Sequence, residues 1–267
     1  MMHSAAPPPA LSGVRAAVTI ARYTVLEALR NRLLWLFGLA ALAAVGLSGF
    51  LHELALTESR QLQAALLAAV LRLAAVALLA AFVVTSMVRE AADKGQELLL
   101  ALPMPRSAYL LGKLAGFGTL ALLPALLFGG LGLFFAPPFQ AALWTLSLLL
   151  ELWIVSAFSL FCVLSLNQAM PALAATAAFY VLARSIGSLQ LLSHAAGAHT
   201  ELQQQWMARG IDVLAALLPR LDEFTQTAWL VYHTGNATAL AAIAVQTAIY
   251  VVLLAAAAMF DLYRKTI

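Results

Sequence analysis

The sequence predicts an all-α integral membrane protein with six transmembrane helices, and three observations predict it. The 267-residue chain is 63% hydrophobic and only 10% charged, where a soluble domain carries roughly 25% charged residues. Its apolar residues gather in six runs, each near the roughly 20 residues that cross a bilayer. Ala and Leu dominate these runs and no period-two alternation appears, so they read as helices and not as barrel strands.

The elements follow in chain order. Residues 1–13, "MMHSAAPPPALSG", are Pro/Ala-rich and read as a disordered tail; they lack the basic-then-apolar build of a cleaved signal peptide. Residues 14–32 place Arg15, Thr19, Arg22 and Arg30 in one helical sector and mostly apolar residues elsewhere. That pattern suits an interfacial helix with its basic edge towards lipid phosphates. A plain cytoplasmic extension of the first span is the competing reading. The spans are expected at about 33–51, 64–88, 110–135, 140–166, 170–192 and 238–260. "APPFQ" separates the third from the fourth, and "LNQAMP" the fourth from the fifth, with Asn167 and Pro171 marking the break. Residues 193–237 form the long outer segment. An amphipathic helix should end there at Pro219, and Asp222 should cap a second helix running through Trp229. Both should lie on the outer surface or over the span ends.

Lys and Arg set the orientation. With a cytoplasmic N-terminus, that side collects Arg15, Arg22, Arg30, Arg32, Arg89, Lys94, Arg106, Lys113, Arg264 and Lys265. The other side collects Arg60, Arg209 and Arg220. Both termini are therefore expected in the cytoplasm.

Arg72, Glu151 and Arg184 fall inside spans. A charge at bilayer depth costs roughly 3 kcal/mol on insertion scales, so such groups turn towards protein or water. Arg72 and Arg184 should lie about 12 Å from the outer end, and Glu151 about 16 Å, at 1.5 Å per residue. Glu151 is expected to pair with one of the arginines, either lining a pathway or fixing helix register. Thr176, Tyr180, Arg184 and Ser188 recur every four residues, as do Gln246 and Tyr250, and each set shares a helix face. A cavity lining and plain interhelical hydrogen bonding fit these faces equally. Gly112 and Gly116 form a small-xxx-small pair suited to close helix packing.

Several function classes lack their signatures. No GxxxxGK[ST], HExxH, CxxC or GxSxG occurs, and "GKLAG" at 112–116 lacks the upstream glycine and the hydroxyl residue of a phosphate loop. His194, His199 and His233 are too scattered for a metal site, and the single Cys162 lies in an apolar run. The chain is expected to carry no catalytic residues and to bind no cofactor or metal.

The stretch 88–113, "VREAADKGQELLLALPMPRSAYLLGK", interrupts this apolar chain with seven charged residues and two prolines in "PMP". Glu90, Asp93, Lys94 and Glu97 alternate in sign at helical spacing and three leucines follow. A helix over about 89–102 is expected, broken by the prolines, with Ser107 capping the next span. An ordinary charged loop is the bland alternative.

The order Glu90, Gly95, Glu97, Leu98, Leu99, Pro103, Arg106, Gly112, Lys113 resembles the stretch after the second span of ABC type-2 transporter permeases. That stretch has the form E…G-T-x-E-x-L-L-x-x-P-[VLM]-x-R…G-K. "EALRNR" at 27–32 resembles the family's elbow helix, and Gln96 departs from the pattern where the family often has Thr. The subgroup annotated for multicopper-enzyme maturation is the most similar in flavour, and no copper role is carried over. The resemblance implies a permease subunit in a bacterial inner membrane, most often of an exporter. It implies a coupling helix at 89–106 that docks on a separate ATPase subunit, with Glu90, Gly95, Leu99, Pro103 and Arg106 at the contact. ATP and Mg²⁺ would sit on that partner, and a second permease subunit, identical or related, would complete the transporter. Lipids are the remaining partner, and nucleic acid is not expected. Two other classes stay open: a gradient-driven secondary transporter using Glu151 as proton carrier, and a non-transporting membrane scaffold.

Overall fold

The computed structural model describes residues 13–54, 59–93, 105–196 and 202–264. No strand occurs among them. The chain forms α1 (Gly13–Arg30), α2 (Leu33–Leu54), α3 (Ser59–Ala92), α4 (Arg106–Leu120), α5 (Leu122–Gly132) and α6 (Pro138–Leu166). It continues through α7 (Ala169–Ala196), α8 (Leu202–Leu217), a 3-10 turn (Leu221–Glu223), α9 (Thr227–Val231) and α10 (Ala237–Arg264). Among the described residues, α3, α4 with α5, α6, α7 and α10 are long and apolar enough to cross a membrane. A sixth span is reached when α1 and α2, bent by 56° at their junction, count as one. The chain is therefore a multi-pass helical membrane protein.

The span boundaries have local causes. Pro138 opens α6 at its first turn, where its missing N–H is not needed. Asn167 closes α6 in the left-handed conformation, φ 55°, and donates its N–H to Val163 O at 3.0 Å. The expected third span is two helices meeting at Ala121, beginning at Arg106 instead of 110. Pro124 lacks the N–H that would reach back to Leu120, so the ladder resets there.

The core gathers round α6, which packs against α3, α4, α5, α7, α9 and α10. Trp144, Leu148, Leu152 and Val155 on α6 are fully buried. In contrast, α10 turns Val245, Ile249, Val252, Leu253 and Phe260 outward. An apolar face that long is at home in lipid, which needs no polar cover.

Helices α1 and α4 run side by side in the same direction. Gly13 lies on Pro105 and Ala108, Gly112 on Ala17 and Ile20, and Gly116 on Ala21 and Thr24. A Cβ at Gly112 would meet the Ala17 carbonyl oxygen at 2.8 Å, and one at Gly116 the Thr24 Cβ at 2.7 Å. The paired glycines therefore admit the stripe Ala16, Ile20, Thr24 and Ala28, all buried. Arg15, Arg22 and Arg30 point outward on another face of α1.

Gly13 beside Pro105 and the contact of Arg106 Nη1 with Leu262 O at 3.0 Å bring the starts of α1 and α4 and the end of α10 to one end of the bundle. The end of α3 joins them through Glu90, which accepts from Tyr109 on the first turn of α4 at 3.0 Å, and we call this the basic end.

Four expectations are corrected here. The helix α1 already includes Gly13, which the sequence placed in the tail. Ser107 does not cap α4: Pro105 holds that position in extended conformation and no side chain caps the helix. Asp222 does not cap a helix either, but lies inside the 3-10 turn, while Gln226 precedes the short α9. Finally, the segment after α8 does not stay over the span ends. It descends to the middle of the bundle, because a set of buried polar side chains supplies partners for its open backbone. The expected tail over 1–12 and the coupling residues Gly95, Leu99 and Pro103 lie outside the described residues.

Candidate functional site

Two polar constellations interrupt the apolar bundle. The first lies at mid-bundle. Glu151 stands at the centre of α6, Arg184 near the centre of α7, and Arg72 thirteen residues into α3, about 20 Å along that helix at 1.5 Å per residue. They surround the break between α8 and α9.

Glu151 is fully buried. Its Oε1 accepts from Tyr180 Oη at 2.9 Å and its Oε2 from Thr225 Oγ1 at 2.5 Å. Arg184 Nη1 stands 3.6 Å from Glu151 Oε1, so the expected pairing is with Arg184. The same nitrogen donates to Phe224 O at 2.9 Å and to Leu221 O. Arg72 Nη1 donates to Thr225 O at 3.3 Å. Ser147 Oγ accepts from the Thr225 N–H at 2.8 Å.

Thr225 itself has φ 42°. A β-branched residue rarely takes this conformation, which costs on the order of 1–3 kcal/mol. Three spans offset that cost: α6 binds its N–H and hydroxyl, α3 its carbonyl, and Arg184 Nη1 of α7 also donates to its hydroxyl at 3.4 Å. The break thus obeys the rule that irregular backbone at membrane depth must be satisfied by protein. Sequence reading found Glu151, Tyr180, Arg184 and Arg72 but missed Ser147, Leu221, Phe224 and Thr225. A strained threonine carries no sequence signal, and carbonyl acceptors exist at every residue. The one usable signal was the surplus of donors at that depth, more than a single carboxylate needs.

Two buried atoms in this region have no hydrogen-bond partner among the described residues, Arg72 Nε and Asp222 Oδ1. Asp222 lies over Gly187, where a Cβ would come within 2.3 Å of Oδ2. The other members of the predicted polar faces stand apart. Thr176 is buried and donates back to Ala172 O, and Ser188 is exposed. Gln246 is half-buried, and Tyr250 Oη donates to Leu217 O at 3.3 Å.

The second constellation is at the basic end. Glu90, on the last turn of α3, pairs with Lys113 of α4 and accepts from Tyr109 Oη at 3.0 Å. Both charged side chains are largely buried, 15% and 6% exposed. One turn away, Glu27 of α1 accepts from Arg89 Nη2 at 2.7 Å and from Ser86 Oγ at 3.0 Å. Arg106 leans over the Tyr263 ring, 5.8 Å from its centroid, and Ser165 on α6 donates to Asp261 on α10. Of the five predicted coupling residues, then, Glu90 and Arg106 face neighbouring helices of this chain. Together these contacts tie α1, α3 and α4 into one unit at the two stems of residues 94–104.

No group of His, Cys, Asp and Glu among the described residues has the spacing of a metal site. No protein-family model matches the chain, and no curated protein matches it.

Proposed function

We propose that the chain is the permease subunit of an ATP-binding-cassette transporter of the type-2 class, an outward transporter in a bacterial inner membrane. The observation that carries this reading is the build of residues 88–113. A motif-like stretch emerges from the end of α3 and returns at the start of α4, and its two stems are joined by the buried Glu90–Lys113 pair and Tyr109. A segment so anchored passes a push on its tip to α3 and α4, and through Glu27 to α1. The bent α1–α2 pair and the five further spans agree in layout with this class. The basic residues at that end support a cytoplasmic position for it.

On this reading, ATP and Mg²⁺ are bound by a separate ATPase subunit that docks on 94–104, with Leu99, Gly95 and Pro103 at the contact. Glu90 and Arg106 act as the anchors of that segment. A second permease subunit completes the pathway. Glu151 supports the gradient-driven alternative less well, because both of its oxygens are engaged and it is sealed from solvent. A proton carrier must open to each side in turn.

The test is co-purification of an ATP-binding-cassette ATPase subunit with the full-length chain in detergent. Wild type retains it. Leu99→Asp loses it at unchanged thermal stability of the permease. Retention by Leu99→Asp, or ATP-independent transport by the purified chain alone, contradicts the reading.

A further inference from the structure

We propose that a groove along α1 and α4 binds the acyl chain of an anionic phospholipid, whose phosphate is held by Arg15 and Arg22. This goes beyond the transporter reading and does not depend on it. The groove encloses about 860 Å³ and is apolar almost throughout. Val14 and Val18 line it from α1, Leu111 and Leu122 from α4 and the α4–α5 junction, Trp153 from α6 and Val251 from α10. Its one indole N–H is already used, since Trp153 Nε1 donates to Gly118 O at 3.0 Å. The Thr119 and Ser156 hydroxyls are likewise used, donating to Gly116 O and Trp153 O, and Ser107 lies at the mouth, where the headgroup would sit.

Its length fits one leaflet. The wall runs from Pro105 to Leu122, about 25 Å at 1.5 Å per residue, against about 15 Å for half the hydrocarbon thickness. The surplus leaves room for a headgroup at the Gly13–Pro105 mouth, which lies at the basic end.

Charge selects the occupant. On α1 the groove face, Val14, Ala17, Val18 and Ala21, lies between the stripe buried on α4 and the sector of Arg15 and Arg22. Both guanidinium groups are exposed, and neither forms an ion pair within the described residues. The acid of α1, Glu27, faces α3 and is held by Arg89 and Ser86. The edge of α1 that borders the groove is therefore basic and unneutralised, which suits a phosphodiester with net negative charge. Arg22 sits two turns further in on the same edge, about 10 Å from Arg15 at 1.5 Å per residue, so that two extended side chains can meet one phosphate between them.

The experiment is native mass spectrometry of the full chain in mild detergent, with added dioleoyl phosphatidylglycerol or dioleoyl phosphatidylcholine. Wild type is expected to retain phosphatidylglycerol about 10- to 30-fold better, as two basic residues near a phosphate allow. Arg15→Gln with Arg22→Gln removes that preference but still retains both lipids. Ala115→Trp, at an exposed position on the groove wall, lowers retention of both. An intact melting transition for each variant excludes misfolding as the cause. Equal retention of the two lipids by wild type overturns the proposal. So does efficient cross-linking of Ala115→Cys between two copies, which would put a second chain in the groove.

Discussion

The Arg184 guanidinium is held by a carboxylate on one side and by two main-chain carbonyls on the other. Those roles separate under mutation. Glu151→Gln loses the charge and keeps one acceptor oxygen, and the second hydroxyl can rotate to accept from the new amide N–H. Arg184→Met leaves the Leu221 and Phe224 carbonyls without a donor, at about 1–3 kcal/mol each. We expect Arg184→Met to lower the melting temperature in detergent more than Glu151→Gln. We also expect the exchange Glu151→Arg with Arg184→Glu to fail as a rescue, although the pair exists, because a carboxylate at 184 cannot donate to carbonyls. Recovery of wild-type melting by the exchange would show that the ion pair alone matters. Thr225 explains why a cluster is needed at all, since its left-handed backbone is tolerable only while all its polar groups are bound.

The stems of residues 94–104 invite a comparison between two ion pairs made by consecutive residues of α3. Arg89–Glu27 is half in solvent, 56% and 34% exposed, whereas Glu90–Lys113 is nearly closed off. Exposed pairs contribute about 0–1 kcal/mol. Breaking a buried one costs about 3–5 kcal/mol, because the surviving charge stays without a partner. Lys113→Met should therefore destabilise the protein far more than Arg89→Met in thermal unfolding, and Lys113→Met with Glu90→Leu should recover much of the loss. Equal effects would mean that the stems are open to water. The helices behind these stems were readable in advance, since their apolar runs, the Asn167 stop and the Gly112–Gly116 pair follow from steric and solvation rules that act locally. The partners of Glu90 were not. Lys113 is 23 residues away on another helix, and the pairing depends on how α3 and α4 pack.

Across the bundle, hydropathy revealed that the chain spans a membrane and roughly where, because desolvation of each run is a property of its own residues. It misplaced the segment after α8, assigning it to the surface on polarity. The stabilisation of that descent comes from Ser147, Glu151, Arg184 and Arg72, which belong to three other helices. It read the bent α1–α2 pair as an interfacial helix followed by a span, and gave no sign that α1 packs parallel to α4. The resulting picture has an anchored segment at the basic end, a central α6, and a strained break held at mid-bundle, so that displacement of α3 reaches both the segment and Arg72. The lone Cys162 is buried, which makes exposed positions available for labelling. Spin labels on Asp93→Cys, at the end of α3, and Met170→Cys, at the start of α7, can report movement at the basic end in vesicles by pulsed electron resonance. The distance distribution should shift when the ATPase subunit and ATP are both present, and stay fixed with ATP alone or with a proton gradient alone. A distribution that ignores the ATPase subunit, or that shifts with the gradient in its absence, would contradict a permease driven through residues 94–104.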